Sequence, residues 1–290
     1  MSAKKQYQPK TKEELKQAIQ EYQQGKHKER GEPNDWDVSL ITDMRLLFAF
    51  NNTFNEPLNK WVTKQVTNMS QMFYGASKFN QPLNGGYKPH CWAFIFSQYG
   101  VVNDSTKITG RRLFHKLPVF LVRRVALYAF GDHIGGFDTS QVTDMGGMFA
   151  GASSFNQPIG QWNTNQVTNM KGMFNRALSF NQPIGQWDTN QVTDMSYMFQ
   201  FASSFNQPIG QWETNQVTNM KGMFNRASSF NQPIGQWKTN QVTDMTYMFR
   251  SASSFNQPIG QWKTNQVTRM RMTGMFSGAS SMTHPKPTTN

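Results

Sequence analysis

Cysteine is almost absent from this chain of 290 residues: Cys91 stands alone, so no intrachain disulfide can form and stability has to come from packing. Histidine is scarce too. His27, His90, His115, His133 and His284 all lie outside the regular part of the sequence, and none stands at metal-ligand spacing from a cysteine or carboxylate. Cys91 does follow His90, but two adjacent residues in an irregular stretch read as chance rather than as a nucleophile and its base. No glycine-rich phosphate loop, GxSxG elbow or paired-carboxylate constellation occurs. The chain is therefore expected to be non-enzymatic and to need no cofactor.

Long apolar runs are missing as well. The stretch "LPVFLVRRVALYAF" is broken by Arg123 and Arg124, and the opening "MSAKKQYQPKTKEELKQAIQEYQQ" lacks the apolar centre of a signal peptide. The sequence thus reads as soluble, untargeted and without a membrane span. Acidic residues are few: 17 against 29 lysines and arginines, a net charge of +12 that predicts weak, salt-sensitive attraction to polyanions. The excess concentrates in the first 30 residues and between Lys88 and His133.

What the chain has in abundance is repetition. "FNQPIGQW" begins at residue 155 and returns unchanged at 180, 205, 230 and 255, a period of 25 residues. A fixed period of this size implies a solenoid, in which each unit buries its apolar face only against its neighbours. Eight apolar columns recur, led by Val142, Met145, Met148, Phe149, Ala152, Phe155, Ile159 and Trp162, and they are the candidate core. The methionines read as gap-filling core residues, not as ligands. Polar columns run beside them, Thr143/Thr168/Thr193 and Asn156/Asn181/Asn206/Asn231/Asn256, placed to satisfy backbone groups at tight corners. Within a unit, "MSYMFQFA" (195–202) predicts one or two helical turns. Phe205, Ile209 and Trp212 predict a short extended piece limited by Pro208.

The surface positions vary. The residue after each tryptophan runs Asn163, Asp188, Glu213, Lys238, Lys263, so that one edge passes from neutral through acidic to basic. A second alternation has a period of 50 residues. "TNMKGMFNRA" at 168 and 218 interleaves with "TDMSYMFQFA" and "TDMTYMFRSA", which groups Lys171, Arg176, Lys221 and Arg226 into spaced basic pairs. These nine residues are the candidate partner-binding set.

Residues 1–35 form a basic arm and a capping helix: Thr11 and Glu14 make a capping box, and Leu15, Ala18, Ile19 and Tyr22 share a face. The first repeats span 36–84, the intact array 135–282, and a polar, proline-containing tail 283–290 is expected to be disordered. Between them, 85–134 lacks every repeat column, yet Phe79 and Phe155 are 76 residues apart, within one residue of three periods. Two readings stay open there: a diverged or inserted stretch in place of two repeats, or two repeats translated out of frame, the second being preferred because both flanks are intact.

The string "WDTNQVTDMSYMFQFASSFNQPIGQW" closely resembles the repeat of BspA-like leucine-rich-repeat surface proteins, with the consensus "WDTSxVTDMxxMFxxAxxFNQ" known from mycoplasma lipoproteins, protists and large DNA viruses. The resemblance covers 36–84 and 135–281. It implies a leucine-rich-repeat-like solenoid, surface display or adhesion through an unidentified protein partner, and no catalytic residues to carry over. The expected function is a repeat scaffold for protein–protein interaction. The alternative is polyanion or nucleic-acid binding through the basic arm and the Lys171/Arg176/Lys221/Arg226 face.

Overall fold

The computed structural model describes residues 6–26, 29–84, 136–267, 272 and 274–287. Among them there is one α-helix, α1 (Lys12–Gln23), one 3-10 turn (Pro33–Asp35) and no strand. α1 begins where its capping chemistry places it: the Thr11 side chain accepts from the Glu14 amide at 3.1 Å, and the Glu14 carboxylate accepts from the Lys10 amide at 2.8 Å. Its buried Leu15, Ala18 and Ile19 join the same apolar cluster as Met44 and Phe48 of the first unit. Lys12 reaches Asp43 at 3.0 Å and Gln23 reaches Asn51 at 2.6 Å, so the helix lies against that unit.

Behind α1 the repeats stack, and the hydrogen bonds show how a chain does this without helix or strand. In one unit the amides of Met195, Tyr197, Phe199 and Phe201 donate to Asn219, Lys221, Met223 and Asn225 of the next, at 2.8–3.0 Å. The alternate amides, Met198, Gln200 and Ala202, close back to the carbonyls of Met195, Tyr197 and Phe199. Every backbone amide from 197 to 202 is thereby satisfied, half across units and half within one. The segment predicted to be helical is instead a run of tight turns, with Tyr197 at φ 59° and Phe201 at φ 60°. The extended piece from Phe205 to Trp212 forms no strand either. The sheet-like pairing between units is limited to isolated bridges, the recurring parallel one running along Asn68, Asp144, Asn169, Asp194, Asn219 and Asp244.

All eight apolar columns are buried, Val192, Met195, Met198, Phe199, Ala202, Phe205 and Ile209 completely so. Equivalent rings stack from unit to unit: Phe174, Phe199 and Phe224 at 5.6 and 5.7 Å, Trp187, Trp212 and Trp237 at 6.5 and 6.3 Å. Phe199 also stacks on Phe205 of its own unit at 3.9 Å. The indoles of Trp187, Trp212, Trp237 and Trp262 each donate to the unit behind, Trp212 Nε1 to the Ile184 carbonyl at 3.1 Å; Trp162 Nε1 is buried without such a partner. The asparagine column forms a ladder in which each side-chain oxygen accepts from the next asparagine's amide, as Asn156 does from Asn181 and Asn181 from Asn206, both at 2.9 Å.

The 76-residue interval has a simple geometric meaning. Phe73 stacks on Phe149 at 5.6 Å, Phe79 on Phe155 at 6.1 Å, and the Asn80 side chain accepts from the Asn156 amide at 2.9 Å. Phe137 fills the tryptophan column, 6.5 Å from Trp61 and 6.4 Å from Trp162. The unit that ends at Asn84 and the one that starts at Gly136 are direct neighbours, bridged to each other at those two residues. The segment 85–134, with Cys91 and His90, lies outside the described residues.

Candidate functional site

Two surfaces of the stack carry the residues singled out by variation. The first is the edge column Asn163, Asp188, Glu213, Lys238 and Lys263. Its backbone is held by a buried threonine ladder: the hydroxyls of Thr139, Thr164, Thr189, Thr214 and Thr239 donate to the carbonyls of those five residues at 2.8–3.0 Å. Asn163 and Asp188 turn their side chains back to accept from the amides of Asn165 and Asn190, which keeps the local turn. Glu213, Lys238 and Lys263 stand exposed. No ion pair or ring contact among the described residues links this column to the basic pairs.

The second surface is built by the turns. In each unit an aspartate or asparagine oxygen accepts from the amide two residues on, as Asn169 does from Lys171 at 2.9 Å and Asp194 from Ser196 at 2.8 Å. Two left-handed residues follow, four apart. Their columns read Leu46, Gln71, Gly147, Gly172, Tyr197, Gly222, Tyr247, Gly274 and Phe50, Gly75, Gly151, Arg176, Phe201, Arg226, Ser251, Gly278. Glycine takes this conformation freely, whereas a side chain there costs about 1 kcal/mol. Nine of the sixteen positions carry that cost, among them the tyrosines, two phenylalanines and two arginines.

The 50-residue alternation is steric. A methyl group on Gly222 would lie 2.7 Å from the Tyr197 ring, and one on Gly274 would lie 2.6 Å from the Tyr247 ring. Each tyrosine covers the bare turn of the following unit, so a ring in one unit favours a glycine in the next. In the neighbouring column Phe201 stands between two arginines, with the guanidinium carbons of Arg176 and Arg226 4.7 and 5.1 Å from its ring centre. Arg250 sits 5.1 Å from the Tyr247 ring and Lys221 6.0 Å from that of Tyr197. Of the sequence-derived set, Lys171, Arg176, Lys221 and Arg226 therefore share one surface, and Tyr197, Phe201, Tyr247 and Arg250 join them. The latter four escape a sequence reading that assigns apolar columns to the core. Their signal is alternation with glycine and arginine, which no core column shows.

The strain has a measurable consequence. Tyr247→Gly removes the ring and the strained backbone together, while Tyr247→Ala removes only the ring. The glycine variant is expected to be the more stable, by about 1 kcal/mol, reversing the usual order; urea denaturation of the two would reveal alanine as equal or better if the turn were not left-handed.

Among the described residues, no group of histidine, cysteine, aspartate or glutamate is arranged to hold a metal ion, and no helix is long and apolar enough to cross a membrane. Two shallow concavities of about 200 and 350 Å³ lie near Asn34, Asp35 and Lys60, at the α1 end of the stack and away from both variable surfaces.

A family described as "Mycoplasma protein of unknown function, DUF285" matches three segments of the chain, residues 13–92, 121–223 and 207–289. No curated protein and no solved structure matches it.

Proposed function

The chain belongs to the Mycoplasma-type DUF285 family of unknown function, and from that premise we propose that it is a non-enzymatic binding scaffold. In this reading the stacked units form a leucine-rich-repeat-like solenoid of the BspA type, used in surface display or adhesion, whose turn face receives a protein partner. The supporting observation is the filling of left-handed positions by Tyr197, Phe201, Tyr247, Arg176 and Arg226 where the same columns elsewhere hold glycine. Strained side chains that leave the core unchanged point to recognition. Tyrosine and arginine are also the residues that dominate binding energy at interfaces.

The test is capture with the full chain against a variant carrying Tyr197→Gly, Phe201→Gly and Tyr247→Gly, substitutions that copy the glycines which the same columns hold in other units. A genuine partner is expected to lose at least tenfold in affinity, about 1.4 kcal/mol or more. Equal capture by both proteins would overturn the turn face as the binding surface. A second reading, polyanion binding, has its own support: no ion pair among the described residues involves Lys171, Arg176, Lys221, Arg226 or Arg250.

A further inference from the structure

We infer that the turn face carries two repeated anion subsites, centred on Lys171/Arg176 and Lys221/Arg226, that together bind a linear anionic polysaccharide running along the stack. The inference rests on the polyanion reading above and names its ligand.

The subsites share one sequence and one backbone setting: the decapeptides 168–177 and 218–227 are identical, although Lys221 has the Tyr197 ring beside it at 6.0 Å and Phe201 follows Arg176 but precedes Arg226 in the stack. The Lys171 and Lys221 amides both donate to an asparagine side chain two residues back, at 2.9 and 3.0 Å. The Arg176 and Arg226 amides donate to the Gln200 and Arg250 carbonyls at 2.8 and 2.7 Å. Both guanidinium groups lie within 5.1 Å of the single ring of Phe201, and both arginines are exposed to solvent. A guanidinium is matched in geometry and charge to a sulfate or carboxylate. Units joined by bridges stand one ladder step apart, about 4.8 Å, so the subsites repeat at about 10 Å.

The acidic groups of this face are engaged inward. Asp144 accepts from the Gly146 amide and the Asn169 side chain, Asp194 from the Ser196 amide, and the buried Asp244 from the Thr246 amide. The face consequently presents Lys171, Arg176, Lys221, Arg226 and Arg250 together. Single-stranded nucleic acid is disfavoured by the same contacts, since base binding needs free aromatic faces. Phe201 has an arginine from each neighbouring unit, and Tyr197 and Tyr247 lie on the glycines of the next turns. Two like subsites at a fixed step favour a partner with a fixed step of its own. A polysaccharide charged at every repeating unit has that property by construction, whereas a protein segment has it only by sequence.

The experiment uses the full chain and size-defined heparin fragments, with single-stranded oligothymidylate and polyglutamate as comparison probes, read by fluorescence anisotropy at several salt concentrations. Affinity is expected to rise at least tenfold between fragments too short to span both subsites and those that do, because the second contact becomes intramolecular. Arg176→Gly with Arg226→Gly, which fits glycine into left-handed positions, should remove that length dependence and lower the salt slope by about two. Lys238→Ala with Lys263→Ala removes the same charge from the edge column and should change affinity less than twofold. Equal losses in both pairs would reduce the binding to net charge and overturn the inference, as would no heparin binding at low salt. Polyglutamate or oligothymidylate binding as tightly through the same arginines would overturn the saccharide assignment. None of these results touches the protein-partner reading, which stands or falls on the aromatic variant.

Discussion

Phe199→Ala is expected to divide the protein's unfolding into two transitions. Phe199 is fully buried and stacks on Phe205 at 3.9 Å, on Phe174 and Phe224 of the flanking units at 5.6 and 5.7 Å, and lies 6.2 Å from Trp212. Truncating such a ring costs about 3–5 kcal/mol in transfer and cavity terms. In a closely knit globular core that loss would be shared by the whole domain. Here each unit touches only its neighbours, so the loss falls on the couplings between unit 192–216 and the units before and after it. The part anchored by α1 and the part beyond residue 217 should then melt separately, which hydrogen exchange followed segment by segment during urea titration would resolve. Phe276 provides the contrast. It is only partly buried, has one stacked neighbour in Phe249 at 5.6 Å, and its alanine variant should fray the end while leaving the main transition in place. A single transition for Phe199→Ala, shifted no more than for Phe276→Ala, would refute stacking as the source of cooperativity.

Much of this architecture is legible from periodicity because the stack repeats one environment. A column that is apolar once is buried at each described step before the last unit, and all eight columns are core for that reason. What periodicity cannot supply is the backbone path. Met195, Met198, Phe199 and Ala202 recur at i, i+3, i+4 and i+7, the signature of a helix face. A run of turns with left-handed residues at 197 and 201 buries the same four side chains, because its own repeat is four residues. The two paths differ only in where alternate amides go, and cross-unit hydrogen bonds leave no mark in composition. The same ambiguity hid Tyr197 and Phe201, which share a segment with core residues but point away from it. Across the interval of 76 residues Phe73 meets Phe149 directly, a contact that sequence spacing alone does not reveal.

The glycine of "FNQPIGQW" is the residue of that motif whose role only the structure explains, and Gly210→Ala is expected to be as damaging as a core truncation. Gly210 needs no unusual backbone, so alanine would ordinarily be neutral there or stabilising by about 0.4–1 kcal/mol through the unfolded chain. The space decides otherwise. A methyl group on Gly210 would sit 2.4 Å from the Pro233 carbonyl oxygen, and the equivalent contacts of Gly160 and Gly185 are 2.3 and 2.5 Å. A flexible side chain could yield, as Tyr197 can before a methyl group on Gly222, but Pro233 offers backbone. Its unit is tied down on both sides of that carbonyl, by the Asn231 amide donating to the Asn206 side chain and by Trp237 Nε1 donating to the Ile209 carbonyl. Opening a gap for one methyl therefore stretches at least these two bonds and the Trp212–Trp237 stack at 6.3 Å. The cost is about 3 kcal/mol, the upper part of the range for overpacking. Gly222→Ala, hindered by a ring that can swing outward but strained by its left-handed backbone at φ 59°, should cost about 1 kcal/mol. Denaturation midpoints of the two variants would rank them. If Gly210→Ala proved the milder, the units would not be held at the separation that the asparagine and tryptophan ladders impose.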